Sequence, residues 1–460
     1  MKKEIIKIIL RLLIFILIAG LIFFFIFTSS NSKPFIKNIE VNESKRYEDK
    51  VVVNVEIGNP FAKFDKATWC LLTTNTEAIS NSNDWVQAEN GYCSFVVEAG
   101  NYKIFVKDKY GNISDTDSKN IEINKILSIS LNKDIVYLYL GQEYAIKYDL
   151  TKIGNANANV TFESNDKSIV NVDENGKIKA VGFGTSKVTV KTDDNVTKDV
   201  LVYVSNLITK PKVDLSKPYI KCKQFSVEEN TMLDNILFDR IDDAGYKTRA
   251  GVLAAARWLT LEFSYRVHYF YENGRLNNFA PYLKVDGEGR YYHRGLYLNE
   301  SKFSEISNKF VGPSIWGCDL QNYTDWGPYV TGKYYPNGLD CSGFVTWALL
   351  NGGFDIGDIG AGTDNENFDL TDLGEKVNIT NSLMSSGKVK AGDLIGLDGH
   401  MAILAGWDDK NYYVAESLNT TGGVVMTVVP RNKLVNNSIY KYIILMDNVY
   451  KEDGNYTEMW

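Results

Sequence analysis

Two residues in this chain have both the type and the surroundings for nucleophilic chemistry, Cys341 and His400. Cys341 lies in the run Asn337-Gly338-Leu339-Asp340-Cys341-Ser342-Gly343-Phe344. Asp340 is a good helix N-cap, so the sequence predicts a helix that opens at Cys341 and ends at Asn351-Gly352. Phe344, Val345, Ala348 and Leu349 share one face of that helix and would bury it. A helix N-terminus carries roughly half a positive charge, which favours a thiolate, and a nearby His favours it further. The other reading of the same residues is a buried structural cysteine at a helix start. His400 follows Asp398-Gly399, a favoured two-residue hairpin turn, and so starts a strand at the rim of a sheet. A further strand, Tyr412–Ser417, returns antiparallel through a loop at 408–411. That register sets Ser417 to Asn419 opposite His400 and Glu416 on a diagonal. A polar group there would hold the imidazole by its second nitrogen, the arrangement that a nucleophile, base and orienter require.

The elements that must position these residues occupy the last part of a long chain. At roughly 100–200 residues per domain, 460 residues suggest about three domains. The N-terminus is apolar, with no charge from Leu12 to Phe27, and Ile5 to Phe27 is long enough for a bilayer of ~30 Å. Basic residues precede it, which places the rest of the chain outside the cell. No small-residue cleavage site follows, so an uncleaved single-pass anchor in the cell membrane is expected over residues 1–33; a cleaved signal peptide is the alternative. Residues 34–124 read as strands: Val51–Ile57 is strand-like, and Tyr102–Lys107 alternates with period two. Residues 125–206 are also strand-rich, with Asn175-Gly176 as a tight turn. A Lys- and Pro-containing linker is expected at 207–225 and a tail at 447–460. The segment 226–446 mixes helix and strand. Its first part, 226–310, reads as a helical preface, with helices over 226–238 and 249–263.

Composition narrows the partners. Fifty basic and 57 acidic side chains give a net charge of -7, with no long basic run beyond the extreme N-terminus. Nucleic acid is therefore excluded as an expected partner. The three histidines, His268, His293 and His400, are too scattered for a local zinc motif, so no metal or cofactor is expected. His268 reads as helical and structural, His293 as structural or surface. Five cysteines permit two bridges and one working thiol: Cys70–Cys93, Cys222–Cys318, and Cys341 free.

Three stretches resemble known families. Residues 125–206 resemble the bacterial immunoglobulin-like group 2 domain, on the run Phe162–Asp173, the Asn175–Val181 turn and strand, Gly182-Phe183-Gly184-Thr185, and Lys187–Val190. Residues 34–124 resemble a more generic bacterial Ig-like domain. Residues 310–446 resemble the NlpC-type cysteine peptidases of bacterial cell walls. The matching positions are Tyr329, Asp340-Cys341-Ser342-Gly343-Phe344, Gly392-Asp393 and Gly399-His400. The resemblance implies a papain-like fold, with Cys341 as nucleophile and His400 as base. Tyr329 would be the tyrosine beside the nucleophile, and Asp340 and Ser342 would bind a free amine of the peptidoglycan stem peptide. The family's third member is His, Asn or Gln; here Glu416 is the expected residue, with Asn419 in reserve. The fold expected for the whole chain is an N-terminal transmembrane helix, two all-β Ig-like sandwiches and a C-terminal α+β papain-like domain. The function expected is a membrane-anchored hydrolase that cleaves an amide bond of the stem peptide. The alternatives are an inactive wall-binding or adhesin-like surface protein, and an N-acetylmuramoyl-L-alanine amidase.

Overall fold

The structure is a computed structural model. It describes residues 2–460 other than 32, 48–49, 59–66, 75–76, 79–82, 99, 101, 115–124, 154–155, 194, 271–293, 301–314, 322–324, 326–328, 358 and 363–367. The chain is mostly β-sheet behind one apolar N-terminal helix, Lys2–Asn31. The 22 residues Lys3–Phe24 are unburied and, beyond the charged Lys3, Glu4, Lys7 and Arg11 of their first turns, apolar. At ~1.5 Å per residue they cover the ~30 Å of a hydrocarbon core. Their length and composition fit a membrane crossing and fit a signal sequence equally well.

Alternation builds the first β unit. Lys50–Gly58 buries Val51, Val53, Val55 and Ile57 and turns the intervening residues outward. It lies between Phe35–Tyr47 and Tyr92–Val97 in one three-stranded sheet; Val86–Gln87, Thr68–Thr73 and Lys103–Asp108 form the facing one. Cys70 and Cys93 lie in the core between them as two free, buried thiols, not as the expected bridge. The other expected bridge, Cys222–Cys318, is present, with its Cα atoms 4.1 Å apart. The second unit pairs a four-stranded sheet (Val160–Ser164, Gly184–Thr192, Thr197–Ser205, Ile135–Tyr139) with smaller ones around Val136, Ile178, Val188 and Val202. Gly176, at φ +75°, closes its turn, while the Asp173 carboxylate accepts the Asn175 and Lys177 N–H groups.

The C-terminal unit is α+β. Six antiparallel strands run in the order Glu375–Asn378, Tyr442–Leu445, Leu394–Leu397, His400–Trp407, Asn411–Leu418, Gly423–Pro430. Leu233, Leu237, Val252, Ala256, Phe344 and Ala348 bring three helices, Val227–Ala244, Arg249–Arg257 and Cys341–Asn351, into one core with Met401, Ile403 and Ala415 of the sheet. A second apolar cluster joins Ala402, Leu404 and Val414 to Leu383, Leu434 and Tyr440. Ser226 and Glu229 cap the first helix reciprocally. It runs on to Ala244, past the expected 238, and the second ends in a π-turn, Trp258–Glu262.

Three expectations need correction. The stretch 207–225 is no free linker: Leu207, Ile208, Ile220 and Phe225 are buried in the C-terminal core, and Cys222 ties it to Cys318. The stretch 447–460 is no loose tail, because Tyr450 is buried and Asp447 and Asp453 are ion-paired with buried Arg249. His268 is not helical. After the π-turn the chain becomes extended, and His268 forms backbone bridges to Gly338 and Gly423. Both neighbours must be glycine there, since a Cβ on Gly338 would lie 1.9 Å from the His268 carbonyl oxygen and one on Gly423 2.0 Å from that of Val267. His293, like much of the helical preface, lies outside the described residues.

The second β unit is fastened to the C-terminal one. Lys133 Nζ lies 2.6 Å from Asp239 and 2.5 Å from Asp243, and Arg240 Nη2 donates to the Tyr137 carbonyl at 3.0 Å.

Candidate functional site

Cys341 stands at the mouth of its helix because Asp340 caps it. Asp340 is extended, and its Oδ1 accepts the Gly343 N–H at 2.8 Å and the Ser342 hydroxyl at 3.1 Å. The loop before it is held from two sides. The Leu339 N–H donates to the His268 carbonyl at 3.0 Å, and the buried Ser417 hydroxyl donates to the Leu339 carbonyl at 2.7 Å. The thiol is 8% exposed.

The hairpin brings the imidazole to it. Gly399, at φ +87°, turns the chain so that Leu397 pairs with His400. Cys341 Sγ lies 3.8 Å from the carbonyl oxygen of Gly399, the residue before His400, so the thiol stands beside the imidazole and helps to raise its pKa. Ile403 pairs with Ala415 in the next ladder, so Glu416 falls on the diagonal from His400. Its Oε2 is 2.8 Å from His400 Nε2, which leaves Nδ1 as the ring nitrogen for the thiol. The Tyr440 hydroxyl donates to the other carboxylate oxygen, Oε1, at 2.7 Å. Asn419 sits beyond the strand, in a turn closed by the Gly422 N–H on its carbonyl.

Burial of the His400 ring opposes its charge, yet the thiol and the Glu416 carboxylate outweigh it and push the pKa up to about 9. A folded-state pKa above the unfolded ~6.5 gives stability that is complete below about pH 6.5 and is lost as pH rises through about 9. The amount is at most about 3.5 kcal/mol, at ~1.4 kcal/mol per pK unit. Thermal unfolding from pH 6 to 10 should therefore show a falling melting temperature over that window. His400→Gln should flatten the fall; an equal slope in the variant would show that the imidazolium is not its source.

Tyr329 is buried, stacks on Tyr269, meets Tyr335 edge-on at 4.7 Å, and donates its hydroxyl to the Tyr269 carbonyl at 3.2 Å. Burial pushes its phenol up to about 12. Asp393 of the Gly392-Asp393 step serves a buried ion pair, with Oδ1 2.7 Å from Arg249 Nη1. Among the described residues no three His, Cys, Asp or Glu are grouped to hold a metal ion. Sequence reasoning missed Ser417 as a clamp and Tyr440 altogether. The one available signal for Tyr440 was a general one, that a buried tyrosine finds a partner for its hydroxyl.

No family model matches the chain. Two uncharacterized proteins of Clostridium acetobutylicum are similar to it. One is 29% identical over 223 residues, covering 46% of this chain and 22% of that protein. The other is 30% identical over 165 residues, covering 33% of this chain and 42% of that protein. The chain thus spans less than half the length of either relative. Among solved structures, the C-terminal fragment of intimin in complex with the intimin-binding domain of its translocated receptor is 15% identical, covering 46% of this chain and 80% of the fragment, with a TM-score of 0.29. Domains 4 and 5 of the S-layer protein SbsC are 17% identical, covering 37% of this chain and 96% of that one, with a TM-score of 0.17. At those scores the likenesses carry no argument about this chain.

Proposed function

We propose that this chain is a membrane-anchored cysteine hydrolase that cuts an amide bond of the peptidoglycan stem peptide. The observation that carries the reading is the placement of the Cys341 sulfur at the Gly399–His400 turn, 3.8 Å from the Gly399 carbonyl oxygen, with His400 Nε2 held 2.8 Å from Glu416 Oε2. It has the order of a nucleophile, a base and an orienter. The α+β unit and the resemblance of residues 310–446 to NlpC-type peptidases, with their papain-like fold, support the same chemistry and the choice of substrate. The apolar N-terminal helix would hold the enzyme at the outer face of the cell membrane, and the two β units would carry it toward the wall.

In this mechanism His400 takes the thiol proton and the Cys341 sulfur attacks the amide carbon. The developing oxyanion meets N–H groups at the first turn of the Cys341 helix, where backbone donors lack intrahelical acceptors. The C–N bond breaks as His400 returns the proton to the amine nitrogen, leaving a thioester on Cys341. Water then attacks the thioester, His400 takes its proton, and the sulfur leaves. Glu416 orients the ring and stabilises its cation throughout.

The test is digestion of purified peptidoglycan by the full chain, with mass spectrometry of the soluble products. Peptide fragments that have gained one water and a new amine, and that vanish with His400→Gln, are expected. A glycan freed of its whole stem would instead identify an N-acetylmuramoyl-L-alanine amidase. The two β units also favour a second reading, a wall-binding or adhesin-like surface protein. Retention on insoluble wall with no product from the wild type would select that reading and reject hydrolysis.

A further inference from the structure

We propose that Tyr440 is a positioning residue of this site: its hydroxyl fixes the Glu416 carboxylate in the one orientation that turns the His400 ring toward Cys341. The inference rests on the hydrolase reading above. Glu416 is fully buried and Tyr440 is 1% exposed. A carboxylate can rotate about its last bond, so a single contact to His400 does not settle which oxygen faces the ring or at what tilt. Two contacts do. Oε2 is 2.8 Å from His400 Nε2, and Oε1 accepts the Tyr440 O–H at 2.7 Å. The Tyr440 hydroxyl thus occupies the carboxylate oxygen that His400 does not use. The two rings stand 6.4 Å apart, one at each end of the carboxylate.

The groups facing this carboxylate and its partners come from four elements. They are Cys341 from its helix, His400 from the hairpin, Tyr440 from the approach to the Tyr442–Leu445 strand, and the Thr427 hydroxyl beside Tyr440 from the Gly423–Pro430 strand. Among them Tyr440 stays a neutral donor wherever the site works, because burial and the Glu416 charge push its phenol far above the ordinary range. It therefore favours the charged carboxylate without competing for that charge, as a cation would.

Tyr440→Phe keeps the ring and removes only the donor. Oε1 would then lose the donor that holds it, and the carboxylate would be free to rotate away from the ring. That rotation loosens its hold on the imidazolium. The variant should lose about 10- to 100-fold in kcat, the usual weight of one hydrogen bond to a charged group. KM should stay within about twofold, and the alkaline limb of the pH–rate profile should move down by about one pH unit. A merely structural tyrosine would lower the active fraction without moving that limb. The second measurement is an NMR titration of the histidine rings in the full chain. The sequence holds three histidines, and the His400 signal is the one missing from His400→Gln. A lower His400 pKa in Tyr440→Phe supports the proposal; an unmoved limb with an unmoved titration overturns it, whatever happens to kcat. If the wild type releases nothing from wall, the hydrolase reading fails. The titration then decides alone: a shift upholds the hold of Tyr440 on the His400 pair, and no shift ends it.

Discussion

Cys341→Ala should abolish wall hydrolysis and leave the fold in place. The expected fall in kcat is roughly 10⁴- to 10⁶-fold, the range seen when the nucleophile of a comparable catalytic group is removed. His400 and Glu416 cannot substitute, because neither can form the thioester on which the second half of the reaction depends. The structural cost is small by comparison. The thiol is one small, nearly buried side chain at the N-terminus of a helix. Asp340 still caps that helix through the Gly343 N–H, and the Phe344 and Ala348 face stays packed. The ring of His400 loses a partner that helps to hold its pKa near 9, so the pH dependence of stability should weaken as well. Product mass spectrometry and thermal unfolding of the same preparation check both halves. Release of peptide at more than about a hundredth of the wild-type rate would show that the sulfur is not the nucleophile.

Arg249→Met should unfold the C-terminal unit at a markedly lower temperature, with a loss of about 3–5 kcal/mol. The guanidinium is fully buried and meets three carboxylates. Two of these, Asp447 and Asp453, are substantially exposed and keep Lys390 as a partner, at 3.2 and 3.1 Å. The third, Asp393, is 1% exposed. It also accepts the Lys390 and Met446 N–H groups at 2.9 and 3.0 Å, which joins the turn before the Leu394–Leu397 strand and the residue after the Tyr442–Leu445 strand to the helix that starts at Arg249. Met fills much of the volume but leaves the Asp393 charge buried without a cation. The double variant Arg249→Met with Asp393→Asn removes the stranded charge and should recover a large part of the loss, as coupled neighbours do. Denaturant unfolding followed by circular dichroism measures both. A single-variant loss below about 1 kcal/mol would mean that the cluster is solvated in solution and contributes as a surface pair does.

The local parts of the site were readable in the sequence, and the distant parts were not. The cap at Asp340, the helix end near Asn351 and the turn at Asp398-Gly399 each depend on a few adjacent residues whose chemistry is local. The diagonal from His400 to Glu416 followed from the hairpin register alone, because antiparallel pairing converts sequence distance into position. Tyr440 reaches Glu416 from a strand two places away in the sheet order from that of His400, and no spacing rule connects them. The same holds for Asp447 and Asp453, which looked like a polar tail because their partner, Arg249, sits at the far end of the unit's sequence. The stretch 207–225 was misread because Lys210-Pro211-Lys212 and Ser216-Lys217-Pro218 dominate its texture, while the residues that anchor it are four scattered apolar ones and Cys222. His268 was misread because its aromatic neighbours mask an extended segment whose partners are two glycines.

The ion pairs of Lys133 with Asp239 and Asp243, and the bond from Arg240 to the Tyr137 backbone, bear on how the molecule is aimed. They fasten the second β unit to the very helix, Val227–Ala244, that packs in the core beneath Cys341. A joint of that kind resists twisting, so the Cys341–His400 site keeps one bearing relative to the strand axes of its neighbour. If the proposed function holds, any sweep across a mesh of glycan strands would arise nearer the N-terminal helix, and the last two units would travel through it as one head.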